Sequence, residues 1–408
     1  MNGPVIRVIG VGNGGCNAVS QIMRSDVSGV ELFAVDTDVR KLRDCAAPDK
    51  IVIGQDVTQG LGCGGDPEQG RRAAESSAKD LEHVLSGAHM VFVASAMGGG
   101  TGTGAAPVIC RMAKEMGALT VGICTKPFRF ERQRRMATAM MGIEECGDSV
   151  DALITIDNQR LFDQVDKHTR LTDTFALVDD VLRQAVQGVS DLITIPGTIN
   201  VDFADVCSVL RNAGPVLMGM SESPVDAPST DIVSRTVASP LLENGIVGAT
   251  NLLLNITCGP DLSLWQVHDI ADAVAQATQT DMPSTIFGTV IDESMKGRLR
   301  LTILAASFVE TAGAPSQNPL TSGRPLYNNP PTLRRSNPVS GGGYTSPTPS
   351  SSATAPSASV PSTPSASPSG SGIPGLPSMP PPSGGSTEAD LDMPTFVRRN
   401  LERRNEGQ

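Results

Sequence analysis

A run of glycines between residues 97 and 104 constrains the fold of this chain more than any other feature of its sequence. The run reads Met-Gly-Gly-Gly-Thr-Gly-Thr-Gly and follows an apolar stretch, residues 89–96, that is typical of a buried parallel strand. Apolar residues then recur at helical spacing from Ala105 to Met116. Glycines in such a strand-to-helix turn can point backbone N–H groups into one concavity at a helix N-terminus. The sequence therefore predicts a cradle for polyphosphate in an α/β fold.

The ordinary P-loop is excluded, because the chain contains no GxxxxGK[ST] motif and the glycine run holds no lysine. Phosphate must then be held mainly by backbone N–H groups and hydroxyls. The alternative is a plain turn or a flexible linker, but flexible linkers are not inserted between a buried strand and an amphipathic helix.

Two more glycine-rich turns accompany the first. Gly10, Gly12 and Gly15 satisfy GxGxxG after an apolar strand, and Asp36 follows about 20 residues later, as in the dinucleotide-binding fingerprint. The third turn, residues 60–67, precedes a helix predicted over residues 68–85. Three such loops at the carboxyl edge of one parallel sheet favour a triphosphate over a pyrophosphate. A nicotinamide cofactor stays open at this point.

The composition excludes several classes of function. A net charge of -11 argues against nucleic acid as a partner. The eight cysteines form no CxxC pair and suggest reduced, mostly buried thiols in a cytoplasmic protein, with no metal site. We find no signal peptide and no apolar run of the about 20 residues that a bilayer span requires, so direct membrane insertion is not expected.

The chain is predicted to divide into five segments. Apolar residues between Thr174 and Ile193 keep a 3.6-residue period that indicates one long central helix. After residue 312 the composition shifts to Pro, Ser, Thr and Gly, which cannot bury a core. The predicted fold is α/β: a Rossmann-like parallel-sheet domain, joined by the central helix to a smaller α/β domain, then a disordered tail. The segments are a nucleotide-binding domain (1–173), the central helix with a catalytic loop (174–213), the C-terminal α/β domain (214–312), a disordered linker (313–387) and a terminal partner-binding peptide (388–408).

Three stretches resemble a known family. The loop GGGTGTG is similar to the signature of the tubulin/FtsZ GTPase family, and Asn-Val-Asp-Phe-Ala-Asp-Val at 200–206 resembles its catalytic loop. The similarity covers about residues 5–308, and residues 392–399 resemble the peptide by which its bacterial cell-division members bind membrane-anchoring proteins.

The resemblance implies a GTPase that polymerises head to tail and builds the bacterial division ring, in the cytoplasm at midcell. GTP and GDP would be substrate and product, with Mg²⁺ held by phosphates and water. Partners would be the protein itself and, through residues 390–399, membrane-anchoring division proteins.

The same resemblance implies roles for individual residues. A carboxylate in the base pocket can accept from the N1–H and exocyclic amine that guanine presents and adenine lacks. Phe175 would stack on the base, although its place in the helical period fits a core role equally well. Three positions depart from the family: Asp36 stands where Asn is more usual, and Asn13 and Cys16 replace glycines. The implied contacts are Asn13, Gly14, Gly15 and Asn17 with phosphate; Gly98, Gly99, Gly100, Thr101, Gly102, Thr103 and Gly104 with the α- and β-phosphates; Glu131 and Arg135 with ribose; Asn158 and Asp180 with guanine.

The NxDxxD motif carries the predicted chemistry. Asp202 and Asp205 could orient a water for attack on a γ-phosphate, or they could cap a helix, since their spacing is that of a capping box. Asn200 and the family resemblance favour catalysis. If Asp180 touches the base, about 20 helical residues, or roughly 30 Å, separate it from this loop. The loop is therefore expected to act on the nucleotide of a neighbouring subunit.

Three functions compete at the level of sequence. The polymerising GTPase explains all the motifs. An NAD-dependent oxidoreductase explains only GxGxxG with Asp36. A nucleotide-binding scaffold that polymerises without hydrolysis is disfavoured by the intact Asn200, Asp202 and Asp205.

Overall fold

A computed structural model describes residues 3–308, without residues 26, 28, 163, 164, 167, 196, 240, 241, 243, 244, 281 and 282. The predicted linker and terminal peptide lie outside the described residues, so both stay predictions. None of the described helices is both long and apolar enough to cross a membrane.

Strands of both predicted α/β domains join one sheet. They are β1 (Ile6–Val11), β2 (Val30–Asp36), β3 (Asp49–Val52), β4 (Met90–Ala96), β5 (Leu119–Lys126), β6 (Ala152–Asp157), β7 (Gly214–Pro224), β8 (Ala249–Cys258), β9 (Ser284–Ile291) and β10 (Arg298–Phe308). Within the described residues the order is β3-β2-β1-β4-β5-β6-β7-β10-β8-β9. The first seven strands pair in parallel, β10 is antiparallel to both of its neighbours, and β8 and β9 are parallel.

Helices cover the sheet. They are α1 (Gly12–Arg24), α2 (Val39–Asp44), α3 (Gln55–Thr58), α4 (Pro67–Ser76), α5 (Ala78–Leu85), α6 (Thr101–Glu115), α7 (Gln133–Ser149), α8 (Asn158–Phe162), α9 (Leu171–Thr194), α10 (Phe203–Leu210), α11 (Ser229–Val237) and α12 (Leu264–Thr278). One apolar core packs α1, α9 and α10 against one face of the parallel strands. A second core packs the four helices α4, α5, α6 and α7 against the opposite face. A third core lies within the C-terminal part, between α11, α12 and strands β8 and β10.

The central helix α9 follows the predicted period. Val178, Leu182, Val186 and Val189 are all buried, as the sequence pattern requires. The smaller α/β part meets the nucleotide domain where β7 pairs with the start of β6 over three residue pairs. The predicted fold class is therefore confirmed.

The helix predicted over residues 68–85 is two helices. The break falls at Ser77, whose backbone leaves the helical region with φ -100° and ψ 22°. Its hydroxyl accepts a hydrogen bond from the Gly54 N–H at 2.9 Å, which ties the break to the turn after β3. This tertiary contact has no signature in the local sequence.

Candidate functional site

A cleft of about 290 Å³ opens at the carboxyl edge of the parallel sheet. Its walls come from the ends of β2, β1, β4, β5 and β6, which are adjacent in that order. At about 4.8 Å per strand the cleft spans about 19 Å, enough for a nucleotide with an extended phosphate chain. The lining residues are Gly12, Asn13, Gly14, Asn17, Asp36, Asp38, Lys41, Gly62, Ala96, Met97, Gly99, Gly100, Thr101, Gly102, Thr125, Pro127, Glu131, Arg135, Asn158, Phe175, Val178, Asp179 and Leu182.

The phosphate end is formed by the turns after β1 and β4. Gly12 and Gly98 have φ values of +71° and +96°, a conformation that glycine adopts without strain. The Gly98 N–H donates to the Thr103 hydroxyl at 2.8 Å, which fixes the turn into α6. A Cβ built on Gly99 would have no atom within 4 Å, so this residue leaves open space in the cleft wall. The arrangement is that of a backbone cradle at a helix N-terminus.

Other glycines of the same motifs lie behind the wall and allow close helix approach. A Cβ on Gly15 would lie 2.3 Å from the carbonyl oxygen of Ala94. A Cβ on Gly104 would lie 1.9 Å from the carbonyl oxygen of Pro67. Gly98 and Thr103 shape the turn without lining the cleft. The predicted phosphate contacts are therefore brought together only in part: Asn13, Gly14, Asn17, Gly99, Gly100, Thr101 and Gly102 lie on the wall.

The base end of the cleft contains an unpaired polar group. Asn158 is only 5% exposed, and its side-chain amide oxygen has no hydrogen-bond partner among the described residues. Leaving such a group unpaired costs about 1–3 kcal/mol, so the site is built to receive a donor from a ligand. This placement agrees with the predicted role of Asn158 toward a base.

The carboxylate on this wall is Asp179 and not Asp180. Asp180 faces its own helix, where one carboxylate oxygen accepts from Arg183 at 2.6 Å and the other from Gln184 at 2.7 Å. Asp179 lines the cleft, and burial raises its pKa to about 7. The geometry favours Asp179 over the predicted Asp180, because the Asp180 carboxylate is occupied by Arg183 and Gln184 and does not line the cleft.

Phe175 lies on the wall of the cleft. It is 41% exposed and meets Phe128 edge to face with ring centroids 5.5 Å apart. Since Phe128 is buried, it supports the exposed ring from behind. Of the two roles that the sequence left open for Phe175, the geometry favours stacking over the core.

Glu131 and Arg135, the predicted ribose contacts, both line the cleft and are paired with each other. The Arg135 Nε lies 3.1 Å from a Glu131 carboxylate oxygen. Glu131 also accepts from the Phe128 N–H at 2.9 Å. Both side chains are thereby held in place, Glu131 in the turn after β5 and Arg135 in the first turn of α7.

Asp36 lines the cleft but is almost fully buried. It is 3% exposed and accepts from the N–H groups of Thr37 at 2.7 Å and Asp38 at 3.2 Å. Burial raises its pKa, although these hydrogen bonds oppose the shift. The Thr37 hydroxyl lies 2.7 Å from that of Thr101, so the segment that follows β2 is tied to the glycine run.

The NxDxxD residues lie away from the cleft. Asn200, Asp202 and Asp205 are all exposed, and none lines the cleft wall. Asp202 is the N-cap of α10 and accepts from the Asp205 N–H at 2.8 Å, so the capping alternative is observed. The Asp205 carboxylate makes no hydrogen bond or ion pair with any other described residue. Capping by Asp202 therefore leaves the second carboxylate available.

Comparisons with known proteins place the chain in a family. Residues 5–166 match the GTPase domain of the Tubulin/FtsZ family, and residues 214–309 match the FtsZ family C-terminal domain. An FtsZ of M. jannaschii, solved as an empty dimer, is 37% identical with a TM-score of 0.70, over 74% of this chain and 88% of that one. The chain belongs to the tubulin/FtsZ family. CetZ2 from Haloferax volcanii, in a GTPγS-bound protofilament, shares the fold at 21% identity and a TM-score of 0.65, over 75% of this chain and 94% of that one.

Family membership confirms the predicted enzyme class. The protein is a GTPase of the tubulin/FtsZ type, with GTP as substrate and GDP as product. The oxidoreductase alternative fails, because the GxGxxG turn and Asp36 belong to this GTPase domain.

Sequence reasoning missed part of the wall. It overlooked residues that follow β2 and β5, and apolar residues on the cleft-facing side of α9. The residues near the ends of β2 and β5 could have been found from their position alone, since side chains at the carboxyl ends of parallel strands meet at one edge of the sheet. The missed residues include Asp38, Lys41, Thr125, Pro127, Val178 and Leu182, whereas Gly62 belongs to the third glycine-rich turn predicted at this edge.

Proposed function

We propose that this GTPase builds a bacterial division ring, as a filament in which each active site is completed by the Asn200, Asp202 and Asp205 loop of the next subunit. One observation carries the proposal: the catalytic-loop residues are exposed and lie outside the nucleotide cleft. Asp179 lies in the third turn of α9, and at about 1.5 Å per residue the helix extends about 22 Å further to Thr194 before the loop begins.

The face that carries the catalytic loop also carries exposed apolar side chains. Leu264 and Trp265 are each 76% exposed at the start of α12. That helix follows the end of β8, and the neighbouring β9 holds the loop through Thr289, whose hydroxyl accepts from the Ile199 N–H at 2.9 Å. Exposed apolar residues beside polar ones are typical of a protein interface. A head-to-tail contact of this face with the cleft of another copy is heterologous and propagates into a filament.

The chemistry of the completed site is water attack on the γ-phosphate. Asp202 and Asp205 would orient the water and accept its proton as the new P–O bond forms and the bond to the β-phosphate oxygen breaks. Asn200 accepts from the Gly197 N–H at 2.6 Å, which holds the loop before the first acid. Mg²⁺ would be held by phosphate oxygens and water, as the family resemblance implies. When bound, it would neutralise phosphate charge.

GTPase activity per subunit is expected to rise with protein concentration. Each contact completes one site, so activity depends on assembly rather than on the monomer. Phosphate release, measured across a dilution series beside light scattering, tests this. If the activity per subunit is the same at concentrations where scattering shows only monomers as it is above them, a shared site is ruled out.

We further propose that Asp179 and Asn158 select guanine. Asp179→Ala is expected to weaken GTP binding at least tenfold, because a hydrogen bond to a charged group contributes about 1.5–3 kcal/mol. The matched variant Asp180→Ala is expected to leave affinity nearly unchanged, since that carboxylate is occupied by Arg183 and Gln184. Affinity of the parent should also fall as pH drops below about 7, when Asp179 becomes protonated, loses its negative charge and turns one of its two accepting oxygens into a donor.

Isothermal titration with GTP and ATP measures these affinities. Equal binding of the two nucleotides by the parent would contradict guanine selection. If Asp180→Ala is the damaged variant instead, the assignment reverts to the residue predicted from the motif.

The terminal peptide, residues 390–399, is proposed to bind membrane-anchoring division proteins. Its sequence places Met393, Phe396 and Val397 beside Arg398 and Arg399, at the end of a predicted tether that lets a filament bind without rigid docking. Deleting residues 390–408 should leave GTPase activity and assembly unchanged and remove recruitment to the membrane at midcell, scored by fluorescence in cells. Normal localisation of the truncated chain would refute the docking role.

A further inference from the structure

We propose that Lys41 binds the terminal phosphate of GTP and makes the cleft prefer the triphosphate over GDP. In this role Lys41 determines specificity, because GDP lacks the phosphate that the ammonium group contacts. The inference rests on the GTPase activity of the chain. It is independent of the shared active site and of the division ring.

The order of the strands places the terminal phosphate near the end of β2. Asn158, just after β6, and Asp179 on α9 mark the base end of the cleft, and the glycine turns after β4 and β1 mark the phosphate end. Because β2 is the next strand beyond β1, a phosphate chain that continues in the same direction reaches the segment after β2. Lys41 lines the cleft from that segment, in α2. A third phosphate therefore comes within reach of its ammonium group, whereas a chain of two phosphates ends over the glycine turns.

The backbone that carries Lys41 is held on both sides. At the start of α2, the Val39 N–H donates to the carbonyl oxygen of Gly60, in the third glycine-rich turn, at 3.1 Å. Leu42, the residue after Lys41, is 3% exposed and belongs to the apolar core that also contains α1. Lys41 itself is exposed, so its side chain is free to reach a ligand from a fixed point.

The Lys41 ammonium is a cation that no carboxylate occupies on the described cleft wall. The other cation of that wall is Arg135, which pairs with Glu131 at the ribose end. Asp38 could have paired with Lys41, but it is paired with Arg40, whose Nη2 lies 3.1 Å from its Oδ2. No hydrogen bond or ion pair joins the Lys41 side chain to any residue that the structure describes. Its charge is therefore available to a phosphate.

Asp36 lies on the same wall, but it competes weakly for the ammonium group. Its Oδ1 already accepts from the N–H groups of Thr37 and Asp38. Burial raises its pKa, which favours the neutral carboxyl over the charged one. The end of the cleft beside β2 thus keeps a positive charge, although two aspartates line it.

A lysine at this place supplies what the glycine run lacks. In ordinary P-loops a lysine of the loop itself reaches the β- and γ-phosphates and binds them as a point charge. The run from Gly98 to Gly104 contains no lysine, so backbone N–H groups and hydroxyls face the phosphates there. Lys41 comes from a different element, and it adds a full positive charge at the position where GTP has one phosphate more than GDP.

The test compares a triphosphate with a diphosphate on the monomeric full chain. Isothermal titration uses GDP and a GTP analogue with an imido group between the β- and γ-phosphates, at protein concentrations where light scattering shows only monomers. Lys41→Gln is expected to lower affinity for the analogue at least about tenfold and to change affinity for GDP less than about twofold. Lys41→Arg keeps the charge and should retain most of the affinity for the analogue. Lys50→Gln removes an equal charge from an exposed residue of β3 that does not line the described cleft, and it should bind both nucleotides as the parent does.

Three results would overturn the proposal. These are unchanged affinity of Lys41→Gln for the analogue, an equal loss of its affinity for the analogue and for GDP, and an equal loss of affinity for the analogue in Lys50→Gln. Intact GDP binding also shows that Lys41→Gln is folded, so a loss confined to the analogue cannot come from misfolding. Because the titrations use monomers, a failure of the shared-site proposal, seen as GTPase activity independent of concentration, leaves their result unaffected.

Discussion

Asp205→Asn is expected to abolish GTP hydrolysis and to leave GTP binding by the monomer nearly unchanged. The carboxylate is exposed and has no partner among the described residues, so the amide should cost the fold almost nothing. It lies outside the nucleotide cleft, so the monomer's own GTP does not sense it. Loss of the carboxylate that orients water removes a transition-state contact and should lower kcat by about 10²–10⁴-fold. Phosphate release and GTP titration on one preparation measure both quantities.

Asp202→Asn is the matched control for the fold. Asn caps a helix about as well as Asp, so the hydrogen bond to the Asp205 N–H and the start of α10 should survive. Comparing the two variants separates the charge of each acid from the capping geometry. Unfolding midpoints within a degree or two of the parent would confirm that neither substitution acts through stability.

Mixing two defective chains tests where the acid acts. Asp205→Asn retains an intact cradle, whereas Gly99→Ala retains an intact catalytic loop. At a mixed junction the loop of the second chain meets the nucleotide of the first, so partial activity should return on mixing. If Asp205→Asn loses GTP binding as a monomer, the acid serves its own subunit and the shared site is wrong.

Most strands and the longest helices of this fold could be predicted because each has a local signature in the sequence. Buried strands such as β4 are apolar runs, and the buried apolar residues of α9 keep a helical period from Val178 to Leu192. The glycine turns follow from backbone geometry, which a sequence shows directly. The short elements α2 and β3 lack such patterns and were not anticipated. The helix break at Ser77 depends on a hydrogen bond with Gly54, and only folding brings these two residues together.

The site was harder to predict than the fold because it depends on rotation about helix axes. The family resemblance implied a base-reading acid at Asp180, yet one residue of offset turns a side chain by about 100°. In the structure Asp179 faces the cleft. Likewise, five of the seven residues from Gly98 to Gly104 are glycine, as is Gly15. Spacing alone cannot tell which of these glycines face phosphate and which allow two helices to approach each other.

Gly104→Ala is expected to lose stability and Gly99→Ala to lose GTP affinity, although both residues lie in the same loop motif. A Cβ on Gly104 would meet backbone of α4, at 1.9 Å from the Pro67 oxygen and 2.7 Å from the Arg71 nitrogen. Backbone cannot rotate away as a side chain can, so α4 and α6 must separate. Overpacking of this kind costs about 1–3 kcal/mol or more, and we expect Gly104→Ala at or above the upper end of that range.

Gly99→Ala adds the same methyl group where nothing in the protein lies within 4 Å. Its fold should be unchanged, and the methyl should instead occupy space that phosphate needs, lowering GTP affinity at least about tenfold. Urea unfolding without nucleotide, run beside GTP titration, separates the two losses, because only a folding defect shifts the unfolding midpoint of the empty protein. Unimpaired GTP binding by a folded Gly99→Ala would show that the phosphates do not pass this residue, and an unshifted midpoint for Gly104→Ala would show that α4 and α6 can separate at little cost.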